Sequence, residues 1–140
     1  MADEAVIVDL LGNRGDPVEY TVATGTAIPK GTLMMISASP QTAVIATAAG
    51  LFAGIAANEK TATDGVVKMP LLTHCIAELT CGAAESMVLG GTVMVGAAPN
   101  EVTVATGNTV DDAPKVVGIA QETVAGNGTG SVLINVGKRR

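Results

Sequence analysis

Aromatic side chains are nearly missing from this chain, whose 140 residues include no Trp, one Tyr and one Phe. Aromatic rings supply much of the energy of cores and small-ligand pockets, so their scarcity argues against a nucleotide or aromatic-ligand site. It argues equally against single-stranded nucleic-acid binding, which uses stacking platforms. Basic charge is short as well: a formal net charge of -5 lacks the footprint expected of a protein that binds phosphate backbones. Val, Ile, Leu, Met and Ala must therefore fill the core, and a chain of this length is expected to form one domain able to bury one.

Long apolar runs are lacking too. The longest, Ala43 to Ala57, is mostly Ala, Gly and Thr. It falls short of the roughly 18 to 20 residues of a membrane span, and Ala and Gly insert weakly. Asp3 and Glu4 stand where a secretory signal would carry positive charge. A soluble protein with no membrane partner is expected.

Residues that carry chemistry are few. His74 is the single histidine, and Cys75 and Cys81 are the two cysteines. On a continuous strand the two thiols would share a face about 20 Å apart, beyond disulfide reach. Ile76 to Thr80 offers no Gly, Pro or Asn for a turn between them, so free buried thiols are expected. His74 and Cys75 are adjacent, and adjacent strand residues point to opposite faces, which places them badly to share a proton. A metal site needs more Cys or His than this. Gly126, Gly128 and Gly130 resemble part of a phosphate loop, but no Lys-Ser or Lys-Thr follows, and a hairpin loop is the better reading. No Gly-x-Ser-x-Gly elbow accompanies His74, and Asp111-Asp112 reads as a solvated turn or at best a weak cation site. No catalytic, cofactor-binding or metal-binding residue is assigned, and the expectation is a non-enzyme with no cofactor and no small-molecule substrate. The alternative is a hydrolase using His74 or Cys75 as base or nucleophile, which requires Cys75 to react with an alkylating agent in the native state.

What the chain does have is a repeat. The string from Ala27 to Ile36 returns from Met87 to Gly96 at an offset of 60, and the string from Leu51 to Glu59 returns from Lys115 to Thr123 at an offset of 64. Pro40 matches Pro99 at an offset of 59. The difference is assigned to an insertion around Asn108 to Asp112. Each Gly-Ile-Ala then leads through a polar loop into an apolar strand, Gly65 to Leu72 or Gly130 to Val136. Repeated units often cannot bury their apolar faces alone, so one body made of two packed units is expected.

Short β-branched segments separated by Gly, Pro, Asn and Asp indicate an all-β protein. Strands are predicted at Val18 to Ala23, Leu33 to Ser37, Ala43 to Thr47, Phe52 to Ala56, Val66 to Leu72, Cys75 to Cys81, Val93 to Gly96, Glu101 to Ala105, Val116 to Ala120 and Gly130 to Val136. Thr42 to Ala57 is the one segment that competes for a helix. Gly50 and Gly54 would cost about 1 kcal/mol each there, so strand is favoured, with at most one short helix. The fold class is a compact β barrel or sandwich with an internal pseudo-twofold duplication. Residues 1–17 form an extended N-terminal arm, followed by a single β domain over 18–140 made of two repeats, about 21–80 and 81–137. The apolar arm, Ala5 to Leu11, either adds an edge strand to its own domain or reaches a neighbour, and the second is preferred. Acidic Asp3, Glu4, Asp9, Asp16 and Glu19 near one end face Lys138, Arg139 and Arg140 at the other. These are two solvated termini, or charges that meet across a subunit boundary or on a larger assembly.

The succession Thr21-Val22-Ala23-Thr24-Gly25, Ala27-Ile28-Pro29-Lys30-Gly31-Thr32-Leu33, Gly54-Ile55-Ala56 and Val117-Gly118-Ile119-Ala120, before a Gly-rich turn and a final strand, resembles the small capsid cement or decoration proteins of tailed bacteriophages. The resemblance spans Val18 to Gly137. It implies a β-rich protein, made in the host cytoplasm, that sits on the outer surface of the virion head and reinforces capsomer junctions against internal DNA pressure. The implied partners are the major capsid protein and copies of the chain itself, as a homotrimer. The resemblance supplies no catalytic residue. Under it, Ala5, Val6, Ile7, Val8, Leu10 and Leu11, with Lys138, Arg139 and Arg140, are the candidate capsid or subunit contacts. Deleting Met1 to Leu11 is expected to abolish head binding while the body stays folded. The alternative structural role is a tail, baseplate or self-assembling shell component.

Overall fold

Eleven strands joined by tight turns make up the computed structural model, which describes residues 3–9, 17–47, 50–105 and 113–136. They are β1 (Val6–Asp9), β2 (Val18–Thr21), β3 (Leu33–Ile36), β4 (Ala43–Ile45), β5 (Leu51–Ala56), β6 (Lys68–Leu72), β7 (His74–Cys81), β8 (Thr92–Val95), β9 (Glu101–Val104), β10 (Val116–Ala120) and β11 (Thr129–Asn135). All ten expected strands are present, and the only helical element among the described residues is a 3-10 turn at Ala113–Lys115. The Ala-rich stretch resolves into β4 and β5, with Gly54 at φ 143. That backbone conformation is closed to most side chains, and a Cβ there would lie 2.6 Å from the Leu72 carbonyl oxygen. It sits where β5 bulges against β3, between Met34 and Met35.

The strands form two sheets of one design, and the boundary between the halves falls at Thr73, between β6 and β7, rather than between residues 80 and 81. In the second half the order is β7-β11-β10-β8-β9, and a parallel pairing of Thr80 and Cys81 with Glu101 and Val102 closes it into a barrel. In the first half the order is β2-β6-β5-β3-β4, and its end strands meet at one parallel bridge, Thr21 to Thr42. The duplication therefore extends to the main-chain hydrogen bonds. Gly31 N–H donates to Ala56 at 2.9 Å and Gly90 N–H to Ala120 at 2.8 Å, while the isolated bridge Ile28 to Lys60 is repeated as Met87 to Val124.

These bonds correct the register of the repeat. Gly31 is equivalent to Gly90, both with positive φ (88 and 79), so the first anchor is offset by 59 rather than 60. The offset of 64 at Ala56 and Ala120 stands, and Leu72 corresponds to Leu133, since each lies opposite the Ile of its Gly-Ile-Ala. A slip of one residue matters because it would exchange the two faces of a strand. The extra length of the second half falls between Ala105 and Val116, where the insertion was expected, and Asn108 to Asp112 lie outside the described residues.

The N-terminal segment also needs correction. β1 pairs antiparallel with β7 of its own chain, Val6 opposite Glu78 and Ile7 opposite Ala77, and Ala5 N–H donates to the Gly31 carbonyl at 2.7 Å. The segment is an edge strand of its own sheet, not the reach toward a neighbour that was preferred. The reason is geometric. β9 meets β7 only at Thr80 and Cys81, which leaves the N–H and C=O groups of residues 76–78 on that edge to be satisfied, and β1 satisfies them.

β6 runs into β7 through Thr73 alone, so one nearly continuous strand passes from the first sheet to the second. Two apolar clusters result. Met34, Ala53, Ala56, Met69 and Leu71 fill the inside of the first sheet. The larger cluster joins the inside of the second barrel, including Leu79, Val93, Val117 and Val132, to the outward side of the first sheet, including Leu33, Phe52 and Ile55.

Candidate interaction surfaces

β7 carries every Cys and His of the chain and alternates as a half-buried strand must. Cys75, Ala77, Leu79 and Cys81 are buried, while His74 and Ile76 are half-buried and Glu78 is exposed. Both cysteines are free. Burial pushes the Cys75 thiol up to about 11 and is also the main cause that raises Cys81. A nucleophile needs the thiolate, and this surrounding disfavours it. His74 lies on the other face of the strand, with its Nδ1 buried and without a hydrogen-bond partner. No group of three or more His, Cys, Asp or Glu that could hold a metal occurs among the described residues. A hollow of about 240 Å³ lies at one end of the first sheet. It is smaller than the roughly 300 to 1,000 Å³ of small-molecule sites, and Thr26 alone adds a polar side chain to the Ala, Ile and Val that line it. Gly126 and Gly128 lie in the hairpin loop into β11, with Asn127 between them at φ 61, and Gly130 is the second residue of that strand.

One charged residue passed unremarked in the sequence. Lys60 is 1% exposed, and its Nζ donates to the carbonyls of Thr24 (2.7 Å), Thr26 (3.1 Å) and Thr61 (3.1 Å). It also lies 3.5 Å from Asp64 Oδ1. The Asp64 carboxylate accepts from Val66 N–H at 2.9 Å and Thr61 N–H at 2.8 Å. The Val66 bond, with help from Thr61 and Lys60, holds its pKa below the usual carboxylate value. The ammonium has every proton committed, so it is a lock between two loops. The equivalent residue in the second half is Val124, a difference visible once the repeats are aligned.

The remaining candidates are surfaces. Of the arm, Ala5 is buried and Ile7 packs on the core, whereas Val6 and Val8 are 58% and 56% exposed. Among the described arm residues, these two alone turn large apolar side chains to solvent. Leu10, Leu11, Lys138, Arg139 and Arg140 lie outside the described residues. Two further apolar groups were not anticipated: Val18, Ile36 and Leu51 at one end of the first sheet, and Val88, Leu89 and Ile119 on the flank of the second barrel. No protein-family model matches the chain, and no curated protein matches it.

Proposed function

We propose that this chain is a structural protein of a phage particle that binds the outer surface of the head and stabilises capsomer junctions, with the major capsid protein and its own copies as partners. The observation that carries the reading is β1. It is the terminal strand of its sheet and presents Val6 and Val8 outward beside an edge that no other described strand occupies. Such an edge is a template for strand addition by another chain, and many modest contacts of this kind made at once over a shell add up through avidity. The resemblance over Val18 to Gly137 supports the same role, and the short-loop β body suits a rigid reinforcing element.

Co-sedimentation with expanded empty heads tests it. Deleting Met1 to Leu11 is a poor variant, because it also strips Ala5 and Ile7 from the core. The better variant is Val6→Lys with Val8→Lys, since edge lysines oppose strand pairing and both side chains are solvent-facing. Occupancy should drop while the unfolding midpoint of the free protein stays in place. Unchanged occupancy would remove β1 as the contact, and a wild-type protein that ignores heads would sink the function itself.

A further inference from the structure

The two halves meet through unlike surfaces. The first half contributes the flank of its sheet, Leu33, Phe52, Ile55 and Leu72, all facing away from its own inner cluster. The second half contributes the end of its barrel where β7 and β10 begin and β8 finishes, including Ala77 and Val95. β5 touches the 3-10 turn and β10 at this junction. Asn100, on the turn after β8, accepts a hydrogen bond from Leu33 N–H at 3.0 Å through its side-chain oxygen. It is an end-on-flank contact.

Because the halves repeat, each possesses both an end and a flank, and among the described residues one of each is unused. The unused flank belongs to the second half. Ile55 is 0% exposed but its equivalent Ile119 is 43% exposed, and buried Leu33 is replaced by exposed Thr92. A Cβ at Gly31 would collide with the Ala5 carbonyl, whereas one at the equivalent Gly90 would meet open space. The unused end belongs to the first half. Ala77 and Val95 are 0% and 2% exposed, but their equivalents Val18 and Ile36 are 38% and 37% exposed. Asn100 is buried against Leu33, while its equivalent Gln41, also at positive φ (50 against 63), is exposed and donates to the Glu19 carbonyl at 3.2 Å.

We infer that the free end of the first half in one copy, Val18, Ile36, Gln41 and Leu51, docks on the free flank of the second half in another, around Thr92, Ile119 and Leu133. The contact repeats between chains the junction already made within each chain. Gln41 takes the part of Asn100 at the backbone of Thr92. Such a contact is heterologous, so it closes into a ring where the rotation permits and otherwise propagates. It depends on no head contact, and its success or failure is separate from that of the capsid reading.

Light scattering on the purified protein, at micromolar concentration, tests it. The wild type should be larger than a monomer. Leu51→Asp and Ile119→Asp should each be monomeric and still unfold cooperatively, at a midpoint that, unlike that of the wild type, does not rise with protein concentration. Mixed in equal amounts they should form a dimer of twice the monomer mass, since one variant keeps its flank and the other its end. A monomeric wild type, a variant that still oligomerises, or a mixture that stays monomeric would overturn the proposal. Independently of those variants, the double variant Gln41→Cys with Thr92→Cys should cross-link between chains under mild oxidation, and neither single variant should yield the ladder. Absence of that cross-link would also count against the docking.

Discussion

The string Gly-Ile-Ala occurs in both halves at equivalent strand positions, yet Ile55 is sealed in the junction and Ile119 faces solvent. Main-chain pairing is the same around each: both lie opposite the Leu of the last strand of their sheet. The difference lies wholly in what stands over the outer face. Burial in a duplicated protein is thus a property of the packing of the halves, and two copies of one local design can hold a core residue and a surface residue at the same place.

The largest expected effect breaks this comparison directly. Ile55→Ala should cost about 2 to 5 kcal/mol, the range for truncating a well-packed aliphatic residue. Ile119→Ala should stay within about 0.5 kcal/mol in the free chain. Denaturant unfolding of both variants checks it, and equal losses would mean that the junction does not exist as described. Next comes the loop lock. Lys60→Val copies the residue that the second half uses at Val124, and it leaves the carbonyls of Thr24, Thr26 and Thr61 without their donor. A loss of about 1 to 3 kcal/mol is expected from such orphaned groups, measured the same way, whereas a neutral result would show that those carbonyls find water instead.

The smallest effect sharpens the comparison through pH. The folded-state pKa of Asp64 is depressed, chiefly by the Val66 N–H, so its contribution to stability is fully present above the unfolded value near 4. It is lost as the pH falls below that value and through the folded one. Ala125 to Gly128, the matching loop, contains no carboxylate. Acid should therefore loosen the first half's loop before the second's, read as a loss of amide protection at Thr61 and Val66, relative to the intrinsic exchange rate, as the pH falls below about 4. Asp64→Asn should erase that pH dependence.

Much of the fold was legible because its signals are local. Turn residues bracketed each strand, and alternation along β7 placed His74 and Cys75 on opposite faces. The register of the repeat is ambiguous by one in the letters because Gly90 and Gly91 are adjacent. A match by letters took Gly31-Thr32 onto Gly91-Thr92, while the backbone needs the positive φ at Gly90. The arm was readable as a strand but not as to its partner, since nothing in Ala5 to Leu11 records that β9 leaves part of the β7 edge unpaired. Lys60 was hidden for a similar reason. A lysine in a polar loop is ordinarily solvated, and its three carbonyl partners lie on Thr24, Thr26 and Thr61, two of them more than thirty residues distant in sequence.

By itself, the sequence determined that the chain is all-β, that it is built twice on one pattern, where its strands fall and that its thiols point inward. Those properties depend on turn chemistry and on the period-two alternation of apolar residues, which each segment carries within itself. Only the tertiary structure decided that the end of the second barrel stands on the flank of the first sheet, that β1 completes the edge of β7, and that the described residues leave one end and one flank uncovered. These depend on contacts between residues as far apart as Leu33 and Asn100, which no local pattern encodes.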